Sequence, residues 1–182
     1  KEVFPLIKEN RLWLGNGFHK GNAYFRPVGD REYVAGVKDA ETGLVKFRNC
    51  CWFTNLDHGR RHQPLILMTE ADNVRYSRHK EIRGAGYAHY DNYDAIEVPY
   101  VDAIPSDYDG AMGVPITFLD KYCPEQFEIL GITDRQNTSN MRTKKYTEKD
   151  TPKYNDLNAR SVIKVGDEYV AVYARILIRR LK

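Results

Sequence analysis

The chain has 182 residues, 42% hydrophobic and 29% charged, which fits a folded domain and excludes disordered, collagenous and disulfide-rich classes. The net charge of +3 conceals a segregation: 15 basic and 10 acidic residues up to Tyr90, 1 and 9 from Asp91 to Thr133, and 12 and 6 from Asp134 onward. No apolar run approaches the length of about 20 residues that crosses a bilayer, and the first residues do not read as a signal peptide.

The elements follow in chain order. Residues 2–10 (EVFPLIKEN) predict a helix with Val3, Leu6 and Ile7 on one face and Pro5 in its first turn. Residues 12–14 predict a short strand ended by the turn signal Gly15-Asn16-Gly17. Residues 22–26 (NAYFR) and 32–37 predict two more strands, the first stopped by Pro27. Residues 45–55 (VKFRNCCWFTN) form the strongest strand pattern of the first half, with Trp52 and Phe53 expected in the core. A further strand is expected at residues 64–68. Residues 69–90 are polar, rich in Arg and His, and read as a mobile connection or an interaction loop.

The second half resumes with a strand at residues 94–98, a turn cluster at 107–113 and a short helix opened by Pro115. Residues 127–133 (FEILGIT) predict a strand. Residues 134–157 are polar and hold Arg135, Arg142, Lys144, Lys145, Lys149 and Lys153. Residues 161–165 and 168–181 predict a hairpin around Gly166-Asp167, its second strand apolar enough to be central.

Several motifs carry a chemical and a plainer reading. Gly15-x-Gly17-x-x-x-Gly21 has a faint phosphate-loop pattern, but such a loop needs a helix after it, and a turn is the simpler reading. His58 and His62 have the i, i+4 spacing of a metal pair, yet Gly59 lies between them and no acidic ligand follows. The loop DHGRRH (57–62) suits phosphate contact better, with His58, Arg60 and Arg61 as candidates. Asp107-x-Asp109-Gly110 lacks the remaining calcium ligands. Cys50, Cys51 and Cys123 are odd in number and have no CxxC partner, so a reducing cytoplasm is expected. Phe18, Tyr24 and Phe25 interleave with Lys20 and Arg26, a pattern that stacks a base and holds its phosphate; the plainer reading puts the aromatics in a core. If the two basic segments meet, they form a polyanion-facing surface; otherwise they are solvated faces.

Five stretches together resemble a known family. They are EVFPLIKENRLWLG (2–15), FRNCCWFTNLDH (47–58), YDNYDAIEV (90–98), IPSDYDGAMGVPITFLDKYCPEQFEILG (104–131) and YARILIRR (173–180). In this order they resemble the C-terminal part of the EcoRI-type adenine-specific DNA methyltransferases. The resemblance implies methyl transfer from S-adenosylmethionine to the N6 amino group of a flipped adenine in duplex DNA, within a restriction–modification system. Such enzymes carry an Asn/Asp-Pro-Pro-Phe/Tyr motif, whereas this chain has no Pro-Pro. By that resemblance the catalytic motif and the main cofactor motif lie upstream. The chain alone is then an inactive fragment, which its opening without Met also suggests, and the N-terminal catalytic half is an expected partner.

The fold expected on this basis is α+β. Closing strands of a class I methyltransferase-like sheet would occupy residues 1–68, a basic linker 69–92, and a β-rich target-recognition region 93–182. The base-pocket candidates are Phe25, Tyr24 and Phe18. The DNA-binding candidates are Lys20, Arg26, His58, Arg60, Arg61, Arg75, Arg78, Arg135, Gln136, Asn137, Arg142, Lys144 and Lys145, with Arg or Lys suited to guanine and Asn or Gln to adenine. The acidic middle is expected to face away from DNA or to brace basic loops. The alternative is a non-catalytic DNA-binding or regulatory module derived from such an enzyme.

Overall fold

A computed structural model describes the backbone of residues 3–29, 36–135 and 141–182, and their side chains except at 16–21, 49 and 50. The expectations for Phe18, Lys20, Gln136 and Asn137, and most of the strand expected at 32–37, therefore lie outside the described residues. The chain divides into two compact units, residues 1–60 and 61–182. Its architecture is mixed α and β, with three sheets and few helices. Among the described residues no helix is long and apolar enough to cross a membrane.

The first unit opens with helix α1 (Val3–Lys8), which buries Ile7 and carries Pro5 in its first turn. Its sheet has the order β1-β3-β2, built from β1 (Trp13–Phe25), β2 (Val37–Lys38) and β3 (Val45–Thr54). The turn expected at Gly15-Asn16-Gly17 is absent; β1 runs straight through it, antiparallel to β3. Register shifts between Leu14 and Ala23 absorb the glycines. Gly15 serves another end: a Cβ there would lie 2.3 Å from the Trp52 indole, so the missing side chain lets that ring lie across β1. Trp52 is 45% exposed, not the core residue expected.

The second unit is built on a four-stranded sheet of order β4-β5-β9-β6. Helix α2 (Glu70–Tyr76) precedes it, where only a loop was expected. Thr69 caps α2: its Oγ1 accepts from the Asp72 N–H at 3.1 Å and donates to Asp72 Oδ2 at 2.8 Å. The strand expected at residues 64–68 does not join a sheet. The Gln126 side chain takes the place of a neighbouring strand, accepting from Leu65 N–H at 2.7 Å and donating to Leu65 C=O at 2.9 Å.

Strand β4 (Ile96–Glu97) runs parallel to β5 (Met112–Pro115). Pro115 then opens a 3-10 turn (Ile116–Lys121), shorter and tighter than the expected helix. Strand β6 (Phe127–Ile132) buries alternate residues. Helix α3 (Tyr154–Leu157) precedes the hairpin of β7 (Val162–Val165) and β8 (Glu168–Ala171), turned by Gly166-Asp167 as expected. The expected long final strand breaks after β8, and its apolar end becomes β9 (Arg175–Arg180). Ile176, Leu177 and Ile178 are wholly buried between β5 and β6, so this segment is central as its composition demanded.

Candidate nucleic-acid interface

In the first unit the base-pocket candidates stand on β1. Phe25 and Tyr24 are 53% and 56% exposed, so neither fills a core. Neighbouring strand residues point to opposite faces, and their partners differ accordingly. The Phe25 ring meets Phe47 edge-on at 5.7 Å. Tyr24 pairs across to Lys46, whose Nζ sits 5.5 Å from the ring centre. The sheet thus shows an aromatic face and, on the other side, an aromatic ring beside a cation. Arg26 is exposed immediately after the strand. His58 Nε2 bonds the Leu14 carbonyl at 3.1 Å, a strut within the unit. Arg60 is exposed. In the second unit Arg61 is buried, its charge acting on the Tyr122 hydroxyl, and His62 Nδ1 reaches Glu125 Oε1 at 2.6 Å.

Four exposed cations of the second unit lie on one short stretch. Arg75, Arg78, Lys80 and Arg83 are exposed, alternating with buried Asn73, Ser77 and Ile82. This knuckle is anchored rather than loose. Ser77 N–H caps α2 through the Asn73 carbonyl, His79 N–H donates to Ser77 Oγ at 3.1 Å, and Gly84 N–H returns to the Val74 carbonyl at 2.8 Å. Gly84 has φ of +82°, a left-handed conformation that glycine adopts at no steric cost. The Arg75 guanidinium lies 5.2 Å from the ring centre of exposed Tyr76. Cations interleaved with an aromatic ring are the chemistry of a polyanion-binding surface.

Asp102 fixes the knuckle from beneath. It takes Arg78 Nη2 at 2.7 Å on one oxygen and His79 Nε2 at 2.9 Å on the other. Burial raises the Asp102 carboxyl, but the His79 bond and the two positive partners outweigh it and hold it below the usual range. His79 lies flat on Tyr100, ring centres 3.6 Å apart and 6° from parallel. These groups line a cleft of about 420 Å³ that Thr117, Asp120 and Lys121 complete.

Other predicted cations are committed to the fold. Arg142 bonds the Tyr93 hydroxyl at 2.9 Å, the Asn158 carbonyl at 2.8 Å and the Asp134 carbonyl at 3.4 Å. Lys144 Nζ donates to Asp91 Oδ2 at 2.8 Å and sits about 5 Å from the rings of Tyr146 and Tyr169. The Tyr146 hydroxyl donates to the same oxygen at 2.6 Å. Its bond to Asp91 pushes the Lys144 ammonium above its ordinary value. Burial raises Asp91, and the Lys144 and Tyr146 bonds outweigh it, leaving its carboxyl low. Lys145 and Arg135 are exposed.

A buried polar cluster had no sequence signal. Arg175 grips Glu97 through Nη2 at 2.6 Å and Nε at 3.0 Å, and the Tyr90 hydroxyl donates to the same carboxylate. Tyr90 lies over Gly113, where a Cβ would come within 2.1 Å of its hydroxyl. Burial first, and the Glu97 charge second, push the Tyr90 hydroxyl far up, so it stays a neutral donor. Glu97 and Arg175 are 78 residues apart, and only the fold unites them.

Among the described residues, S-adenosylmethionine, which the resemblance implies, finds no fitting glycine cradle. Gly15, Gly17 and Gly21 lie inside β1 and not in a strand-to-helix turn. Among the described residues no His, Cys, Asp and Glu group is arranged to hold a metal.

The family described as adenine-specific methyltransferase EcoRI matches residues 1–181. The chain is 42% identical over 133 residues to the type II methyltransferase M.EcoRI of Escherichia coli, covering 71% of this chain and 38% of that protein. It is 36% identical over 134 residues to the type II methyltransferase M.MpnI of Mycoplasma pneumoniae, covering 71% and 39% respectively. The match to the type II methyltransferase M.MgeORF184P of Mycoplasma genitalium is 32% over 136 residues, covering 70% and 39%. The matched region thus spans about two-fifths of each relative. No solved structure matches the chain. With the family pattern running from residue 1 to residue 181, this chain belongs to the EcoRI family of adenine-specific methyltransferases.

Proposed function

We propose that the complete protein is a site-specific DNA adenine-N6 methyltransferase of a restriction–modification system, and that this chain supplies DNA-facing surface to it. The family match over residues 1–181 carries the reading. S-adenosylmethionine supplies the methyl group when bound, and no residue of this chain is assigned to it. Residues 1–68 would close a class I methyltransferase sheet, and Phe25, or failing it Phe18 or Tyr24, would give the flipped adenine a π-face. The knuckle at residues 75–83 would hold the phosphate backbone, and 93–182 would complete the recognition region.

The test is fluorescence anisotropy of the purified chain with mixed-sequence duplex DNA across a salt series. Binding that weakens with salt is expected. No binding at low salt, by this chain or by the complete protein, overturns the reading.

A further inference from the structure

Most exposed arginines on a protein surface are held by nothing, and each pays side-chain entropy to adopt one geometry. Arg78 is different. Its side chain is 79% exposed, yet Asp102 Oδ2 grips its Nη2 at 2.7 Å. Asp102 is itself held on its other oxygen by His79 at 2.9 Å. His79 is fixed twice more, by its flat stack on Tyr100 and by its backbone bond to Ser77 Oγ. Asp102 sits in a 3-10 turn (Val101–Ala103) whose Ala103 and following Ile104 are buried. The chain of supports therefore ends in the core.

A phosphate contact needs only a positive charge, and Lys80 and Arg83, exposed nearby, serve that end with no such support. A base edge needs a planar fork held in register. Among the described residues, Arg78 Nη1 makes no hydrogen bond, while Nη2 faces Asp102 and Nε lies 3.5 Å from His79 Nε2. Nη2 is thus engaged by the protein and Nη1 is left over.

We propose that Arg78 reads a guanine in the major groove through O6 and N7, and that Asp102, His79 and Tyr100 are its positioning residues. This rests on the DNA-binding reading above and names the residue that gives that surface sequence preference. The donor–acceptor match singles out guanine, which presents two acceptors side by side where every other base presents a donor or a methyl group.

The experiment compares the unsubstituted chain, Arg78→Ala and Arg78→Lys. Duplexes bound from a randomised pool are sequenced, and affinities for the selected duplex and its single-base variants follow by anisotropy. The unsubstituted chain should prefer guanine at one position by about 5- to 150-fold. Arg78→Ala should lose that preference, and Arg78→Lys should weaken it, for want of the planar fork, while keeping the salt dependence because it keeps the charge. Replacing the guanine by 7-deazaguanine should weaken the unsubstituted chain and leave Arg78→Ala unaffected. Asp102→Asn should flatten the same position only, a result a purely structural role would not give. Uniform weakening across all sequences, or a guanine preference kept by Arg78→Ala, overturns the inference while leaving DNA binding intact. Absence of binding to any duplex overturns both.

Discussion

Lys144 and Lys145 are neighbours in a basic run, and the structure assigns them opposite work. Lys144 is enclosed by Asp91, Tyr146 and Tyr169, whereas Lys145 is exposed. Lys144→Glu removes a charge-assisted hydrogen bond, worth about 1.5–3 kcal/mol. It also removes two cation–π contacts of about 0.5–1 kcal/mol each at accessible sites. It then sets a carboxylate against Asp91. Solvent reaches 34% of the Lys144 side chain and 25% of Asp91, which screens the pair, so the net cost is about 2–4 kcal/mol. With a urea slope of about 2 kcal/mol/M, the unfolding midpoint should fall by about 1–2 M. Lys145→Glu should keep its stability within about 0.5 kcal/mol and lower the salt slope of DNA binding. The pH profile checks the cause. The low carboxyl of Asp91 stabilises fully above its unfolded value of about 3.9 and is lost as pH falls through its folded value. The raised ammonium of Lys144 stabilises fully below about 10.4 and is lost as pH rises through its folded value. The midpoint gap between the unsubstituted chain and Lys144→Met should therefore be flat from about pH 5 to 10 and close at both ends. A Lys144→Glu midpoint equal to that of the unsubstituted chain refutes the latch. An unchanged salt slope for Lys145→Glu removes that residue from the interface.

Two further perturbations address the buried pair and the aromatic face. Glu97→Gln or Arg175→Met alone should cost about 3–5 kcal/mol in urea unfolding, because each leaves a buried charge unmatched, while Glu97→Leu with Arg175→Met should recover most of it. Equal costs for the single and double variants would show that the pair is not the source. Phe25→Ala in the complete protein should slow methyl transfer more than it weakens DNA binding. Normal transfer would show that another ring meets the base.

Elements whose apolar pattern follows their geometry were legible. Residues 127–133 read as a strand, and β6 buries alternate residues; the apolar run before Arg179 became β9. Helix α2 was missed because EADNVRY has no apolar stripe. Its signal was the cap, Thr69 three residues before Asp72. Trp52 was misjudged because strand strength says nothing of which face is covered. The ring lies over Gly15, whose lack of a side chain was read as a turn. Residues 64–68 looked like a strand by composition, but a ladder needs a partner, and only the Gln126 amide supplied one. The candidate site was legible as charge and not as arrangement. Arg142 and Tyr93 are 49 residues apart, Lys144 and Asp91 are 53 apart, and no local pattern distinguishes a clamped cation from a displayed one.

The segregated charge has a physical outcome that bears on affinity. The acidic middle clamps basic side chains from the flanking segments: Asp91 holds Lys144, Glu97 holds Arg175, Asp102 holds Arg78 and His79, and Glu128 holds Arg179 at 3.3 Å. A count of basic residues thus overstates the charge offered to a polyanion. On the anchored knuckle, Arg75, Arg78, Lys80 and Arg83 remain exposed. If Arg78 turns to a base, three cations are left for phosphates there, and exposed Arg26, Arg60, Arg135 and Lys145 are four further candidates at other places. Each phosphate neutralised contributes about −0.9 to the slope of log affinity against log salt. A slope of about −3 to −6 is therefore expected for this chain. A slope beyond about −7 would mean that the clamped cations are released on binding, and the acidic residues would then be switches and not braces.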